Sequence, residues 1–412
     1  MNIAVDNFVY DPFAPEVMSN PLPYYEVLRE HFPVYYAEQY DTFFLSRFQD
    51  ALDFLSMPAN VFVTNEGSVF NRPVLLRHNT AATSDPPTAP AMGSHLNYGA
   101  PIYELVRQAH GKQLRPGHVK RFEPFVRAMV RSKLDELIER KRFDLVHEFA
   151  GVISASTICH LFHIPVENAT DVLDNINAMT RTDTDGFVEA RAHQFALLEY
   201  VRPLVEARRA EGPDGSWPLV DGMLELRVEG RELTDMEIAI NLMCVMVGGT
   251  ETLPKVAAHG LLELRRHPDQ LAEVRADLSN NCAVAAEEMN RFCGPAQWFG
   301  RTAREKTVVA GQVVEPGQRV VYLTQSANRD PREFDRPDQF RWNRSIPRTL
   351  AFGFGQHFCV GIHLARLEER IILQEFLSRI DDYDIDVDEA TRNPATFQWG
   401  YSHMPVIVRS TF

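Results

Sequence analysis

The 412-residue chain carries 42 Lys and Arg against 56 Asp and Glu, a net charge of −14 at pH 7. That sign argues against a nucleic-acid surface as its main business. A hydrophobic content of 45% lies well above the disordered range, and the length allows a large buried core. The five cysteines, at 159, 244, 282, 293 and 359, are scattered and odd in number, which fits a reducing compartment better than a disulfide framework. The N-terminal residues lack a charged n-region followed by an apolar h-region. No apolar run reads as a membrane span. A soluble cytoplasmic protein without a membrane anchor is expected.

Taken in order, the chain opens with a Pro-rich aromatic lead-in that reads as ordered. Val34-Tyr35-Tyr36 and Phe43-Phe44-Leu45-Ser46 then have the composition of short strands. Residues 81–101 shift to Pro, Gly, Ala, Ser and Asn, a long loop of the sort that often binds ligands. From Ile102 the pattern is largely helical, with Tyr103 and Arg107 on the first such segment. Between Arg107 and Arg127 six cations (107, 112, 115, 120, 121, 127) face one acid, Glu123, an excess out of keeping with the overall charge. Residues 212–215 (Gly-Pro-Asp-Gly) break the helical pattern. Thr234-Asp235-Met236-Glu237 is a capping box, and it opens a helix predicted to run to about His267-Pro268, roughly 45 Å long.

Inside that helix lies Val247-Gly248-Gly249-Thr250-Glu251-Thr252-Leu253-Pro254. Two glycines and a proline are locally unfavourable there, and Pro254 cannot donate to the carbonyl of Thr250. A groove or kink is predicted. Glu288 and Arg291 share one face of a later helix. Residues 307–323 read as strands paired around Gly311 and around the Pro316-Gly317 turn. Next comes Phe352-Gly353-Phe354-Gly355-Gln356-His357-Phe358-Cys359-Val360-Gly361, followed by apolar residues at helical spacing (Ile362, Ala365, Ile372, Phe376, Ile380). Cys359 therefore precedes a helix N-terminus, where free N–H groups favour thiolate, a soft metal ligand.

The pattern Phe-x-x-Gly-x-His-x-Cys-x-Gly resembles the haem-binding loop of cytochrome P450, and Gly248-Gly249-Thr250-Glu251-Thr252 resembles that family's oxygen-binding signature. The resemblance implies a mainly α fold with minor β, a helical bundle around haem with small β-sheets, forming a single domain over 1–412. It implies haem b as cofactor, with Cys359 as the axial iron ligand and Phe352 beside it. Gly248 and Gly249 would leave room over the haem, and Thr252 with Glu251 would handle protons. His357, Arg301 and Arg107 are expected partners of the haem propionates. Tyr103, where the family often has His, could donate one hydrogen bond there. Glu288 and Arg291 resemble the family's Glu-x-x-Arg, with Arg344 as third, structural member.

By position in the family, Met92, His95, Tyr98, Val247, Trp298, Phe299 and Trp399 would line the substrate pocket. They are mostly apolar, so a small hydrophobic organic substrate is implied. Residues 163–187 should lead into a mobile lid. The implied activity is a monooxygenase that hydroxylates or epoxidises its substrate with dioxygen. The sequence carries no flavin or iron–sulfur segment, so two electrons would come from NAD(P)H through a reductase and an acidic ferredoxin docked on the 107–127 cations. A haem-thiolate peroxygenase or isomerase, or a haem sensor without turnover, stands as the alternative; neither needs the Glu251-Thr252 pair.

Overall fold

A computed structural model describes residues 5–77, 92–180, 187–393 and 395–412. Residues 81–91 of the predicted binding loop, and 181–186 of the stretch expected to lead into the lid, lie outside them. The chain is 55% helix and 14% strand, the predicted balance. Six helices matter for the site: α1 (Ile102–Gly111), α2 (Val152–Leu161), α3 (Ala169–Thr180), α4 (Asp235–Arg266), α5 (Leu278–Cys293) and α6 (Ile362–Arg379).

The central element is α4. Its capping box forms as predicted, with the Thr234 hydroxyl accepting from the Glu237 N–H while the Glu237 carboxylate accepts from the Thr234 N–H. It is buried along most of its 32 residues and packs against α2, α3, α5 and α6. By length and composition it could cross a membrane, which corrects the sequence reading. Here it is a core helix, with 61% of its most apolar window buried inside the protein.

Pro254 does not break α4. The Thr250 carbonyl that it deprives of a donor accepts instead from the Ser154 hydroxyl of α2, at 2.7 Å. The two glycines have separate tasks. A Cβ on Gly249 would sit 2.4 Å from Ile158 Cδ1, so this residue is the close contact between α4 and α2. A Cβ on Gly248 would meet nothing within 4 Å. Only Gly248 leaves the predicted room.

Seven of the strands matter here: β1 (Val34–Ala37), β2 (Thr42–Leu45), β3 (Phe62–Val63), β4 (Trp298–Ala303), β5 (Thr307–Val309), β6 (Gln312–Val314) and β7 (Arg319–Leu323). Five of them form one sheet in the order β1-β2-β7-β4-β3. β7 runs parallel to β2 and antiparallel to β4, with Val321 opposite both Phe44 and Gly300. The hairpin around Gly311 forms as β5–β6. The Pro316-Gly317 turn does not make a second hairpin, because it hands the chain to β7 in the larger sheet. Two further predictions shift at their edges. Pro21 to Tyr25 leads into a helix (Leu22–His31), and Ile380 opens a strand (Ile380–Ile385) instead of ending α6.

A buried ionic cluster fixes the segment ahead of the cysteine loop. Glu288, fully buried, accepts from Arg291 at 2.7 and 2.8 Å and from Arg344 Nε at 3.1 Å to both oxygens. The other guanidinium N–H groups are spent on backbone carbonyls: Asn328 and Pro337 from Arg291, and Asp335, Arg336 and Gln339 from Arg344. Such pairing offsets the cost of burying the charges only because nearly every donor is satisfied.

Replacing Ser154 by Ala leaves the Thr250 carbonyl buried without a donor. Ser154→Ala is expected to cost about 1–3 kcal/mol of stability, read as a lower thermal midpoint with secondary structure unchanged.

Candidate functional site

Two glycines of the cysteine loop use backbone conformations closed to most side chains. Gly353 and Gly355 sit at φ +70° and +69°, and a Cβ on Gly355 would also strike the Leu55 carbonyl oxygen at 2.7 Å. The loop closes on itself where the Cys359 N–H donates to the Phe352 carbonyl at 2.9 Å. Phe352 is half-buried, with the Arg366 guanidinium 5.6 Å above its ring. α6 begins at Ile362, and the backbone N–H groups of Gly361 and Ile362 at its mouth favour the charged form of the Cys359 sulfur.

The sequence argument foresaw these donors but not the balance of forces. Burial pushes the Cys359 thiol up, and the two N–H groups with the Arg107 charge only partly offset it. The protein alone therefore favours the thiol, whereas a metal cation deprotonates a ligating thiol outright. All five cysteines are free. Among the described residues no three or more His, Cys, Asp or Glu converge on one point. Cys359 thus suits a metal that brings most of its ligands with it.

Beside the loop the structure assembles a cationic and aromatic ring from three elements. Arg107 of α1 donates to the Phe358 carbonyl and, at 3.1 Å, to the Tyr103 hydroxyl. Tyr103 in turn donates to the Gln356 carbonyl at 3.0 Å. Its only hydroxyl proton is committed to the backbone, which corrects the expectation that Tyr103 donates to a propionate. The His357 ring lies 4.2 Å from that of Tyr103. Burial, with the Arg301 and Arg107 charges, holds His357 down to about 3, so it is a neutral donor at physiological pH. Arg301 on β4 is buried, its guanidinium is 5.6 Å from the Phe54 ring centre, and its Nη2 has no hydrogen-bond partner. A buried guanidinium N–H without an acceptor fits an anion supplied by a ligand.

Cys359 and Arg107 both line a cavity of about 490 Å³ that Arg115 and His363 also border. Across the core, α4 is covered along most of its length. Val247 and Thr252 are only half-buried, however, and Gly248 is exposed. The Thr252 hydroxyl donates to the Gly248 carbonyl at 3.1 Å. A free thiol flanked by N–H donors, an unpartnered buried guanidinium and a glycine cradle on a core helix together fit haem.

The predicted pocket residues divide. Val247 lies on the uncovered strip. Phe299, half-buried, shares a face of β4 with Arg301 and lies 6.1 Å from Tyr322. Trp298 points the other way, as strand alternation requires, into the core formed with Phe44, Phe70 and Val321. Trp399 packs at 5.3 Å against His259, seven residues beyond Thr252 on α4, with Arg392 over its ring. Both are corrections to the pocket assignment. Met92 is pinned by its N–H to the Glu237 carboxylate, ten residues before Val247 and so about 15 Å away along the helix. Tyr98 is buried, with its phenol under the influence of Glu237 and Arg231.

His95 is held by two bonds to Asn241 Oδ1, from its N–H at 2.6 Å and its Nδ1 at 2.9 Å. Its ring stacks on Tyr103 at 5.7 Å, which puts it beside the Arg107 group. Asn241 and His110 were not singled out from the sequence, whereas Lys255 and Gln398 entered only as parts of the 247–255 and 397–399 stretches, with no role of their own. Only Asn241 and Lys255, at helical spacing from Gly248 and Glu251, left a trace that could have found their part.

Residues 125–402 match the cytochrome P450 family. A "putative cytochrome P450 123" of Mycobacterium tuberculosis is 30% identical over 407 residues, spanning 98% of this chain and 97% of that protein. Among solved structures, the hydroxylase HmtN is 25% identical with a TM-score of 0.81, over 95% of this chain and 97% of that one. The cytochrome P450 PksS of Bacillus subtilis superposes with a TM-score of 0.83 over 98% of this chain and 100% of that one, and at 24% identity speaks for the fold. With the family match over 125–402 and a relative 30% identical along nearly its whole length, the chain belongs to the cytochrome P450 family and has the general character of its haem-dependent monooxygenases.

Proposed function

We propose that this chain, as one domain over 1–412, is a cytoplasmic haem b monooxygenase that hydroxylates or epoxidises a small hydrophobic substrate. Its electrons come from NAD(P)H through a ferredoxin reductase and a ferredoxin. The observation that carries the reading is Cys359 at the mouth of α6, on the wall of the 490 Å³ cavity. Haem, when bound, supplies the iron that activates dioxygen and accepts the electrons. Cys359 would hold its iron. Arg301, with its unpartnered N–H, and Arg107 and His357 beside it would hold the propionates.

The remaining chemistry belongs to side chains of α4. The Thr252 hydroxyl, bonded back to the Gly248 carbonyl, is poised to turn and give a hydrogen bond on the open side of the helix. Glu251 is the proton store. Burial, the largest influence on it, pushes its carboxyl up, so it carries a proton under conditions where an exposed Glu has lost it. Val247 and Phe299 are apolar and leave the substrate side dry, which favours a hydrophobic molecule. A relative of comparable fold, HmtN, is described as a hydroxylase, in keeping with this reaction class.

Of the six cations between 107 and 127, Arg107 is turned into the cysteine loop and Arg127 is paired with Glu123 and Glu375. Lys112, Arg115, Lys120 and Arg121 are exposed, and among the described residues none has an ion pair. These four, next to the cavity at Arg115, form the docking face for an acidic ferredoxin.

Three outcomes are expected. Reduced protein exposed to carbon monoxide should show the red-shifted Soret band of a thiolate-bound haem, and Cys359→Ser should lose it; a wild type without that band would end the proposal. Thr252→Ala should keep the band while product per electron pair falls at least about tenfold, measured as NAD(P)H consumed against product formed. Reversing Lys112, Arg115 and Arg121 together to Glu should slow reduction by ferredoxin about tenfold at low salt with haem content intact, followed by stopped-flow.

A further inference from the structure

Glu251 does not stand free in the structure. It is 4% exposed. Its Oε1 accepts a hydrogen bond from the Gln398 amide, while its Oε2 is buried without a partner. The Thr180 hydroxyl at the end of α3 is spent on the Ile176 and Asn177 carbonyls of its own helix. Among the described residues Lys255 is the charged group acting on Glu251. That ammonium, however, donates to the Glu251 backbone carbonyl at 2.7 Å.

Gln398 is itself fastened on both sides. Its Oε1 accepts from the Asn393 amide at 3.1 Å, which fixes its nitrogen toward Glu251. Its backbone carbonyl accepts from Gln297 at 3.2 Å. The segment carrying it is tied to the start of β4 by Gln297 N–H to the Phe397 carbonyl at 2.7 Å and Trp399 N–H to the Pro295 carbonyl at 2.6 Å. It also lies directly on α4. Gly400 has φ +145°, and a Cβ there would sit 2.9 Å from Lys255 Cβ.

We propose that Gln398 is a positioning residue for Glu251. Its amide keeps the carboxyl turned into the 397–400 segment, away from the uncovered strip of Thr252, and proton delivery requires that bond to open. The inference rests on the reading of Glu251 as the proton-handling acid. Movement of the 397–400 segment is thereby linked to the supply of protons. Because the segment is anchored to β4, which also carries Phe299, a substrate pressing on Phe299 has a mechanical path to Glu251.

The test uses the intact haem-loaded protein and three variants: Gln398→Met, which keeps the shape but not the donor; Gln398→Glu; and Glu251→Gln. Each is first checked for the carbon monoxide band. The infrared carboxyl stretch that disappears in Glu251→Gln identifies Glu251. In Gln398→Met that stretch should move to higher frequency and persist to a pH about one unit higher, a tenfold change in ionisation, because a donor to the charged form has been lost. The share of electrons lost as hydrogen peroxide should rise severalfold. In Gln398→Glu a shared proton should broaden the same stretch. A Glu251 stretch unmoved in frequency and pH in both Gln398 variants overturns the proposal and leaves the Glu251 reading intact. A peroxide share unchanged in Glu251→Gln overturns that reading, and the proposal with it.

Discussion

A half-buried sulfur atom at the mouth of a helix is the constraint around which this protein is arranged. Burial disfavours its charge, while two N–H groups and the Arg107 charge favour it. The protein alone leaves the thiol favoured, and what the sulfur binds reverses the outcome. Keeping that balance demands a loop that cannot wander. Left-handed glycines shape it, Arg107 and Tyr103 grip its carbonyls, and the Glu288–Arg291–Arg344 cluster secures the segment before it. Each device replaces a hydrogen bond to water with one inside the protein.

The same logic runs along the central helix. Glycine and proline weaken a helix from within, and α4 accepts both because its neighbours supply what is missing. Ser154 fills the place of the absent Pro254 N–H, Ile158 fills the notch at Gly249, and Lys255 and Thr252 cap carbonyls one turn back. What stays unfilled is the notch at Gly248. The helix is sound everywhere except where an open space is useful.

The parts legible in the sequence were those governed by local rules. The capping box, the length of α4, the glycine turn before Cys359 and the Glu288–Arg291 spacing depend on residues a few positions apart. The sequence also marked which residues were unusual without saying what each would face. Trp298 and Phe299 are adjacent and both aromatic, and only the register of β4 against β7 decides that one enters the core and the other the site side. Tyr103 seemed to have a spare proton until the Gln356 carbonyl, 253 positions away, was placed beside it. Gln398 carries no signature at all, since a glutamine gains meaning only from what the fold sets opposite it. The thiolate expectation at Cys359 omitted burial, a property of the whole packed molecule.

β4 has a lasting effect on how this chain can change. One of its faces feeds the amino-terminal core through Trp298 and Gly300, and the other serves the site through Phe299 and Arg301. Slipping the strand by one position would exchange the two sets, burying a guanidinium among aromatic rings and turning an indole toward the cavity. Gln297 and Pro295, immediately before it, are already bound to the 397–399 backbone. Insertions and deletions are therefore shut out of this junction, whereas the outlying β5–β6 hairpin, with Val308 and Val313 in solvent, can lengthen or shorten freely. Lineages of this protein should vary in that hairpin and hold the junction at constant length.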